Sequence, residues 1–360
     1  MAKGAQREQR HKGHKEGTEI MELPVLALTM GDPVGIGPEV VAKAAATPEV
    51  RAACRPLAVG NAAALRRAVE QCRLTLEVRE VEAAPDTPAD AGVVGVLDPL
   101  AGSAGAGRPL TDLPVGQVSA EAGRASVEYV LKGIDLAMAG EVAGIVTAPI
   151  NKEAMNRAGF HYAGHTELLA ERTGAREAAM LLVAGQLRVA HVTTHVAFER
   201  VPGLITGERL ATVFELTWTT MRQLGIDRPR IAVAGLNPHA GEHGLFGNQE
   251  AEIIAPAIEA AQQQAWNVSG PWPPDTVFAR AHRGQFDAVV AMYHDQGHIA
   301  IKMIGFDEGV NVSLGLPIVR TSVDHGTAFD IAGQGIARPV SMIQATSLAA
   351  QLAAARRPSS

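Results

Sequence analysis

The stretch TMGDPVGIGPEVVAK, Thr29 to Lys43, runs from an apolar segment, Val25 to Leu28, through Gly31, Gly35 and Gly37 into a helix-like run. A strand that turns through glycines into a helix is the building unit of α/β folds, and such a turn can also cradle a phosphate. Whether these glycines serve a nucleotide or only the turn depends on the residues downstream of them.

From Leu23 onward, short β-like runs alternate with helical ones. VLALTM, PLAVG, VVGVL, AGIVTAP, AMLLVA, RVAHVTTH, RIAVAGLN and DAVVAMY read as strands. AALRRAVEQC, GRASVEYVLKGIDLAMAG, ERLATVFELTWTTMRQLG and QEAEIIAPAIEAAQQQ read as helices between them. Alternation of this kind predicts an α/β protein with a mainly parallel sheet. Ala83 to Gly92 and GSAGAGRP at 102–109 read as surface loops, and no internal repeat is present.

The bulk composition narrows the class. At 360 residues and 47% hydrophobic, the chain can fill two domains or one large α/β unit. A net charge of −6 gives no basic field for nucleic acid. No apolar run reaches the roughly 18 residues of a membrane span. Cys54 and Cys72 have neither metal nor redox spacing and read as reduced thiols of a cytoplasmic protein. The first 22 residues lack the apolar core of a secretory signal and carry four glutamates, so they read as a disordered tail rather than a targeting segment.

In open α/β sheets the polar chemistry gathers where strands end. Three strand-like runs finish in histidine: RVAHVTTH at His195, IAVAGLNPH at His239 and DAVVAMYH at His294. Each alone could cap a loop or fill a core gap. Together they predict a shared site for Zn²⁺, Co²⁺ or Ni²⁺ with one position open to substrate or water. Asp295 in YHDQGH suits orienting an imidazole or touching substrate. His191, inside its strand, reads as packing, His298 as a further candidate ligand, and His243 as a surface residue. In AGHTELLAERTG, His165 and Thr166 open a helix, with Thr166 as a plain N-cap or a substrate contact. Lys302, Asn311 and Arg320, in the strand-like IAIKMIG, GVNVSLG and LPIVRTSVDHG, are polar where apolar side chains are usual. They predict an anion clamp for phosphate or carboxylate, against the alternative of surface charge.

In this order, GDPVGIGPE, TAPINK, GHTE, TTH, GLNPHAGE, PPDT, YHDQG and GLPIVRTSVDHGTA resemble the 4-hydroxythreonine-4-phosphate dehydrogenase family of pyridoxal phosphate synthesis, from Leu23 to the C-terminal helix. The resemblance implies a metal-dependent, NAD- or NADP-linked oxidation of a secondary alcohol on a phosphorylated hydroxy acid, followed by loss of CO₂ from the 3-keto product. It implies metal ligands at His195, His239 and His294, with Zn²⁺ first and Mg²⁺ or Co²⁺ as alternatives. Substrate contacts fall at His165, Thr166, Lys302, Asn311 and Arg320, with Lys302, Asp275 and Asp295 as catalytic candidates. It also implies a homodimer in which the His294 segment completes the partner's site.

The opening glycines are similar to the GDGIGPEV start of isopropylmalate and isocitrate dehydrogenases. GDPVGIGPEV lacks the third glycine of GxGxxG, and Pro38 and Glu39 occupy the helix start. It therefore reads as a strand-to-helix turn in a cleft, not a dinucleotide phosphate loop. DHGTAFDIAGQGIARP resembles the HGSAPDIAGKGIANP run of isopropylmalate dehydrogenase, which implies cofactor contacts at His325, Gly326, Thr327 and Asp330. The implied fold has two α/β/α domains like isopropylmalate dehydrogenase, 23–148 with 305–360 and 149–304, with the active site in the cleft between them.

After HDQG this chain reads His298, Ile299, Ala300, where the biosynthetic enzymes usually carry leucine and proline. That pattern resembles a second branch acting on phosphorylated threonate or erythronate, with relatives acting on aromatic cis-dihydrodiols such as that of terephthalate. A non-catalytic metabolite sensor is disfavoured because every matched ligand is present. An acyl-phosphate transferase is disfavoured because it has no need of three strand-end histidines.

Overall fold

The computed structural model describes residues 23–102, 109–162 and 164–356. The expected tail and most of the 102–109 loop lie outside the described residues. β1 (Val25–Thr29) is buried from Leu26 onward and leads through Gly31 to α1 (Gly37–Ala46). Gly31 has φ +67°, and a Cβ there would stand 2.2 Å from the Pro149 carbonyl oxygen. The opening glycine is therefore needed for close passage of two chain segments.

Among the described residues, eleven further strands join β1 in one sheet: β2 (Arg55–Val59), β3 (Glu77–Glu80), β4 (Val93–Leu97), β5 (Gly144–Thr147), β6 (Ala179–Ala184), β7 (Leu187–His191), β8 (Ile231–Ala234), β9 (Val268–Trp272), β10 (Ala288–Ala291), β11 (Val310–Leu314) and β12 (Arg320–Val323). Their order is β3-β4-β2-β1-β5-β12-β11-β6-β7-β10-β8-β9. Eight pairings are parallel and three antiparallel, as the mainly parallel expectation requires. The antiparallel ones join β12, β11, β6 and β7 at the centre, so the two outer parallel blocks run in opposite directions.

The helices are α2 (Pro48–Ala53), α3 (Ala62–Gln71), α4 (Ala120–Met138), α5 (Lys152–Arg157), α6 (His165–Thr173), α7 (Val201–Leu204), α8 (Gly207–Gln223), α9 (Ala255–Gln263), α10 (Pro274–His282), α11 (His294–Gly305) and α12 (Val340–Arg356). Side-chain oxygens of Asn61, Ser119, Asn151 and Thr206 accept backbone N–H bonds that start α3, α4, α5 and α8. On one sheet face α4 packs against β1, while α10 and α11 close a second apolar cluster over β6, β7, β8 and β10. On the other face α12 lies across β1, β5, β12 and β11 and meets α8. Among the described residues no helix is long and apolar enough to cross a membrane.

Two expectations change. IAIKMIG, read as strand-like, is the body of α11, so Lys302 stands on a helix. The three histidines lie beyond the strands: β7 stops at His191, β8 at Ala234 and β10 at Ala291. His195 and His239 are therefore loop residues, and His294 opens α11. The strand propensity of VTTH and GLNPH gives way to turns that lift these polar side chains off the sheet.

Candidate active site

Strand alternation places Thr147, Arg320, Ser322, Asn311 and Ser313 on one face of β5, β12 and β11, because Asn311 pairs with Ser322 and Ser322 with Thr147. Arg320 is only 2% exposed. Its Nη1 donates to Ser313 Oγ at 3.0 Å and its Nη2 to Thr147 Oγ1 at 2.9 Å. Its Nε is buried without a partner. Burial pulls the Arg320 pKa down to about 9, so the ion is held at a cost that an anion would relieve.

His165 joins Arg320. It is the first residue of α6, after Gly164, and no side chain caps the helix. Thr166 is thus the second helical residue, not the N-cap, and its side chain lies outside the described residues. His165 Nε2 is buried without a partner, and burial together with the Arg320 charge keeps the ring neutral. A buried guanidinium donor, an unpartnered imidazole nitrogen and uncapped helix amides all suit a phosphate or carboxylate. Lys302, expected in the same clamp, is engaged elsewhere. Its Nζ stands 2.7 Å from both the carbonyl oxygen and Oδ2 of Asp324, just past β12.

The histidines partly gather. The rings of His195 and His294 stand 5.4 Å apart, and His294 Nδ1 lies 2.6 Å from Asp295 Oδ1, which leaves Nε2 for a ligand. His191 is fully buried, and burial lowers its pKa to about 3, as a packing residue should behave. His239 rests near Phe246, at 6.3 Å. Among the described residues no group of three His, Cys, Asp or Glu side chains is close enough to hold a metal within one chain. The imidazole donors themselves fit Zn²⁺ or Co²⁺, with Asp295 fixing the tautomer of His294. Asp275 is exposed in the first turn of α10, which packs against the His239 loop.

That loop runs left-handed from His239 (φ 53°) through Ala240, Gly241 and Glu242 to His243 (φ 56°). Non-glycine residues pay roughly 1–2 kcal/mol each for such backbone. Glu250, 5% exposed, holds the loop entrance by accepting from the backbone N–H of Leu236 and Asn237, each at 2.8 Å. Gln296 Nε2 donates to the Gly235 carbonyl at 2.8 Å.

The expected cofactor segment is irregular from Asp324 to Pro339. His325 Nε2 is buried without a partner, Gly326 and Asp330 are exposed, and Thr327 is buried with its carbonyl accepting from Ile36 N at 3.1 Å. Open backbone and one orphaned imidazole nitrogen fit a planar base. α1 clasps this segment from beneath. Glu39 Oε1 accepts from Gly333 N at 2.7 Å, and Lys43 Nζ donates to the carbonyls of Gly335 at 2.8 Å and Ala337 at 2.6 Å.

Lys43, Glu250 and Gln296 escaped the sequence reading, and Glu39 entered it only as part of a helix start. Glu39 and Lys43 did leave a trace, as charges four apart in the otherwise apolar PEVVAKAAA. Glu250 and Gln296 left none.

The family described as pyridoxal phosphate biosynthetic protein PdxA matches residues 52–349. The chain is 47% identical to a D-threonate 4-phosphate dehydrogenase of Pectobacterium atrosepticum, over 91% of this chain and 99% of that one. It is 46% identical to a 4-hydroxythreonine-4-phosphate dehydrogenase of Desulfosudis oleivorans, over 92% and 96%. A solved 4-hydroxythreonine-4-phosphate dehydrogenase from Burkholderia phymatum superposes with TM-score 0.79 at 47% identity, covering 92% of this chain and 98% of that one.

Proposed function

The chain belongs to the PdxA family, and from that premise we propose that it oxidises the secondary alcohol of 4-hydroxythreonine 4-phosphate or a close phosphorylated hydroxy acid, with decarboxylation of the 3-keto product. Arg320 Nε and His165 Nε2, buried side-chain atoms without partners, carry this reading. A substrate phosphate or carboxylate supplies the oxygens that both lack, and Asn311 faces the same space. His195, His239 and His294 would hold a divalent cation, which would supply acidification of the substrate hydroxyl, and a bound NAD or NADP would supply the hydride acceptor. Lys302 exchanges Asp324 for substrate and delivers a proton after CO₂ leaves. Asp295 holds the His294 tautomer, and Asp275 lines the approach beside the His239 loop. His325, Gly326, Thr327 and Asp330 receive the cofactor's adenine end in a cleft between 23–148 with 305–360 and 149–304.

The site is shared by two copies of the chain. Ile299 and Met303 on α11 and Phe306 just past its end are exposed, as are Leu245 and Phe246 beside the His239 loop. These apolar side chains flank two of the three proposed ligands, where a partner subunit would cover them.

A second substrate, D-threonate 4-phosphate, is favoured by His298, Ile299 and Ala300 after HDQG. The two acids differ beside the reacting carbinol, in an ammonium or a hydroxyl group. Reduction of NAD⁺ and NADP⁺ by metal-supplied enzyme is measured against both acids and against terephthalate cis-dihydrodiol. Turnover of either phosphorylated acid upholds the proposal, and the faster one names the branch. Turnover of the dihydrodiol alone, or of none, overturns it.

A further inference from the structure

The first turn of α11 carries a ring arrangement with no part yet in this chemistry. His298 follows His294 by four residues, so both lie on one helical face. Their rings are stacked, with centroids 3.6 Å apart and planes 13° from parallel. His298 Nδ1 stands 3.0 Å from the His294 carbonyl oxygen, an acceptor, so Nδ1 carries the proton. Beneath it lies His191, 4.8 Å away and tilted by 54°. His191 is fully buried on β7, with its Nδ1 3.4 Å from the Met180 carbonyl oxygen on β6. Gly297 makes room for this contact, since a Cβ there would come within 2.3 Å of His191 Nε2. A column of rings thus connects the sheet to the first residue of the helix.

His294 needs such support. Tyr293 caps α11 without any side-chain hydrogen bond, and terminal helical residues fray. Asp295 binds His294 Nδ1, but its side chain is 72% exposed, where water competes for the bond. We infer that His298 is a positioning residue for the proposed metal ligand His294: its ring face fixes the imidazole of His294, its Nδ1–H fixes the His294 backbone carbonyl, and His191 fixes His298 in turn. The inference rests on the metal site proposed above. Leucine at 298 would fill the volume but offer neither a flat face nor a donor.

Metal-free full-length protein is titrated with Co²⁺, read by calorimetry and by the visible absorption of the bound ion. His298→Leu is expected to weaken Co²⁺ binding about tenfold or more and to alter the spectrum. His298→Phe restores the ring face and His298→Asn the carbonyl bond, so each recovers part of the loss. If His298→Leu melts as the wild type does and binds Co²⁺ with unchanged affinity and spectrum, the positioning role is overturned while the metal site stands. Should His298→Leu fail to fold, wild-type binding by both His298→Phe and His298→Asn overturns it equally. A wild type that takes up no Co²⁺ removes the metal site and the inference together.

Discussion

Arg320 opens β12, in the middle of the sheet. A guanidinium in the middle strands of a sheet is costly unless its donors are met, and here one donor, Nε, is not. Arg320→Lys keeps the charge but loses the fork to Ser313 and Thr147. It is expected to lower kcat/KM about 10- to 100-fold, the worth of one or two charge-assisted hydrogen bonds. Asp32 gives a prediction of a different kind. It is fully buried, Oδ1 accepts from Val34 N at 3.0 Å, Oδ2 has no partner, and burial raises its pKa from 3.8 to about 6. A carboxyl with a raised folded pKa contributes stability that is complete below pH 3.8 and is lost as pH climbs through about 6. Asp32→Asn keeps an acceptor for Val34 and escapes this loss. Its advantage over wild type in denaturant melts should grow between pH 4 and 7 to at most about 3 kcal/mol. A gap that stays flat with pH would mean Asp32 is not protonated in the fold. Arg320 was legible in the sequence because a charge inside VRTSV breaks the pattern. Asp32 was not, since an aspartate beside glycine and proline is also ordinary turn chemistry.

IAIKMIG alternates like a strand, yet His294, His298 and Lys302 recur every fourth residue, which is the helical period. The helix wins because Ile301 packs into the second core while Ile299 and Met303 stay exposed, a split of faces that period 2 would not allow. β3, with its polar EVRE, and β9, with VSGPW, gave too little apolar signal to be seen. The clasp between α1 and the 333–337 segment was equally hidden, because the partners are some 290 residues apart. Lys43→Met removes the donor to Gly335 and Ala337. It is expected to raise the KM for NAD about tenfold while kcat stays within about twofold. Hydrogen exchange at residues 333–337 should quicken in the same variant without any cofactor present. Unchanged exchange would show that the segment holds its shape unaided.

For the whole molecule, alternation along the chain was enough to predict helices on a mainly parallel sheet, but not the antiparallel centre that fuses two blocks into one. β11 and β12 are short and lie between two polar loops, so nothing local says which neighbours they choose. Association is the property to test at this scale. Met303→Asp places a charge in the exposed stripe of α11 and should turn a dimer into monomers by sedimentation, with activity lost alongside. A wild type that sediments as a monomer, or a charged variant that stays dimeric and active, would remove the shared site. The path of the chain through the sheet bears on synthesis as well. The strands β1 to β5 are made early, but their flanking strand β12 and the helix that seals their far face, α12, follow β5 by more than 170 residues. A nascent chain therefore carries an unpaired β5 edge and an unsealed apolar face until β12 and α12 have been made. The enzyme's weakest moment comes during its own translation, and a chaperone has more to protect then than in the finished protein.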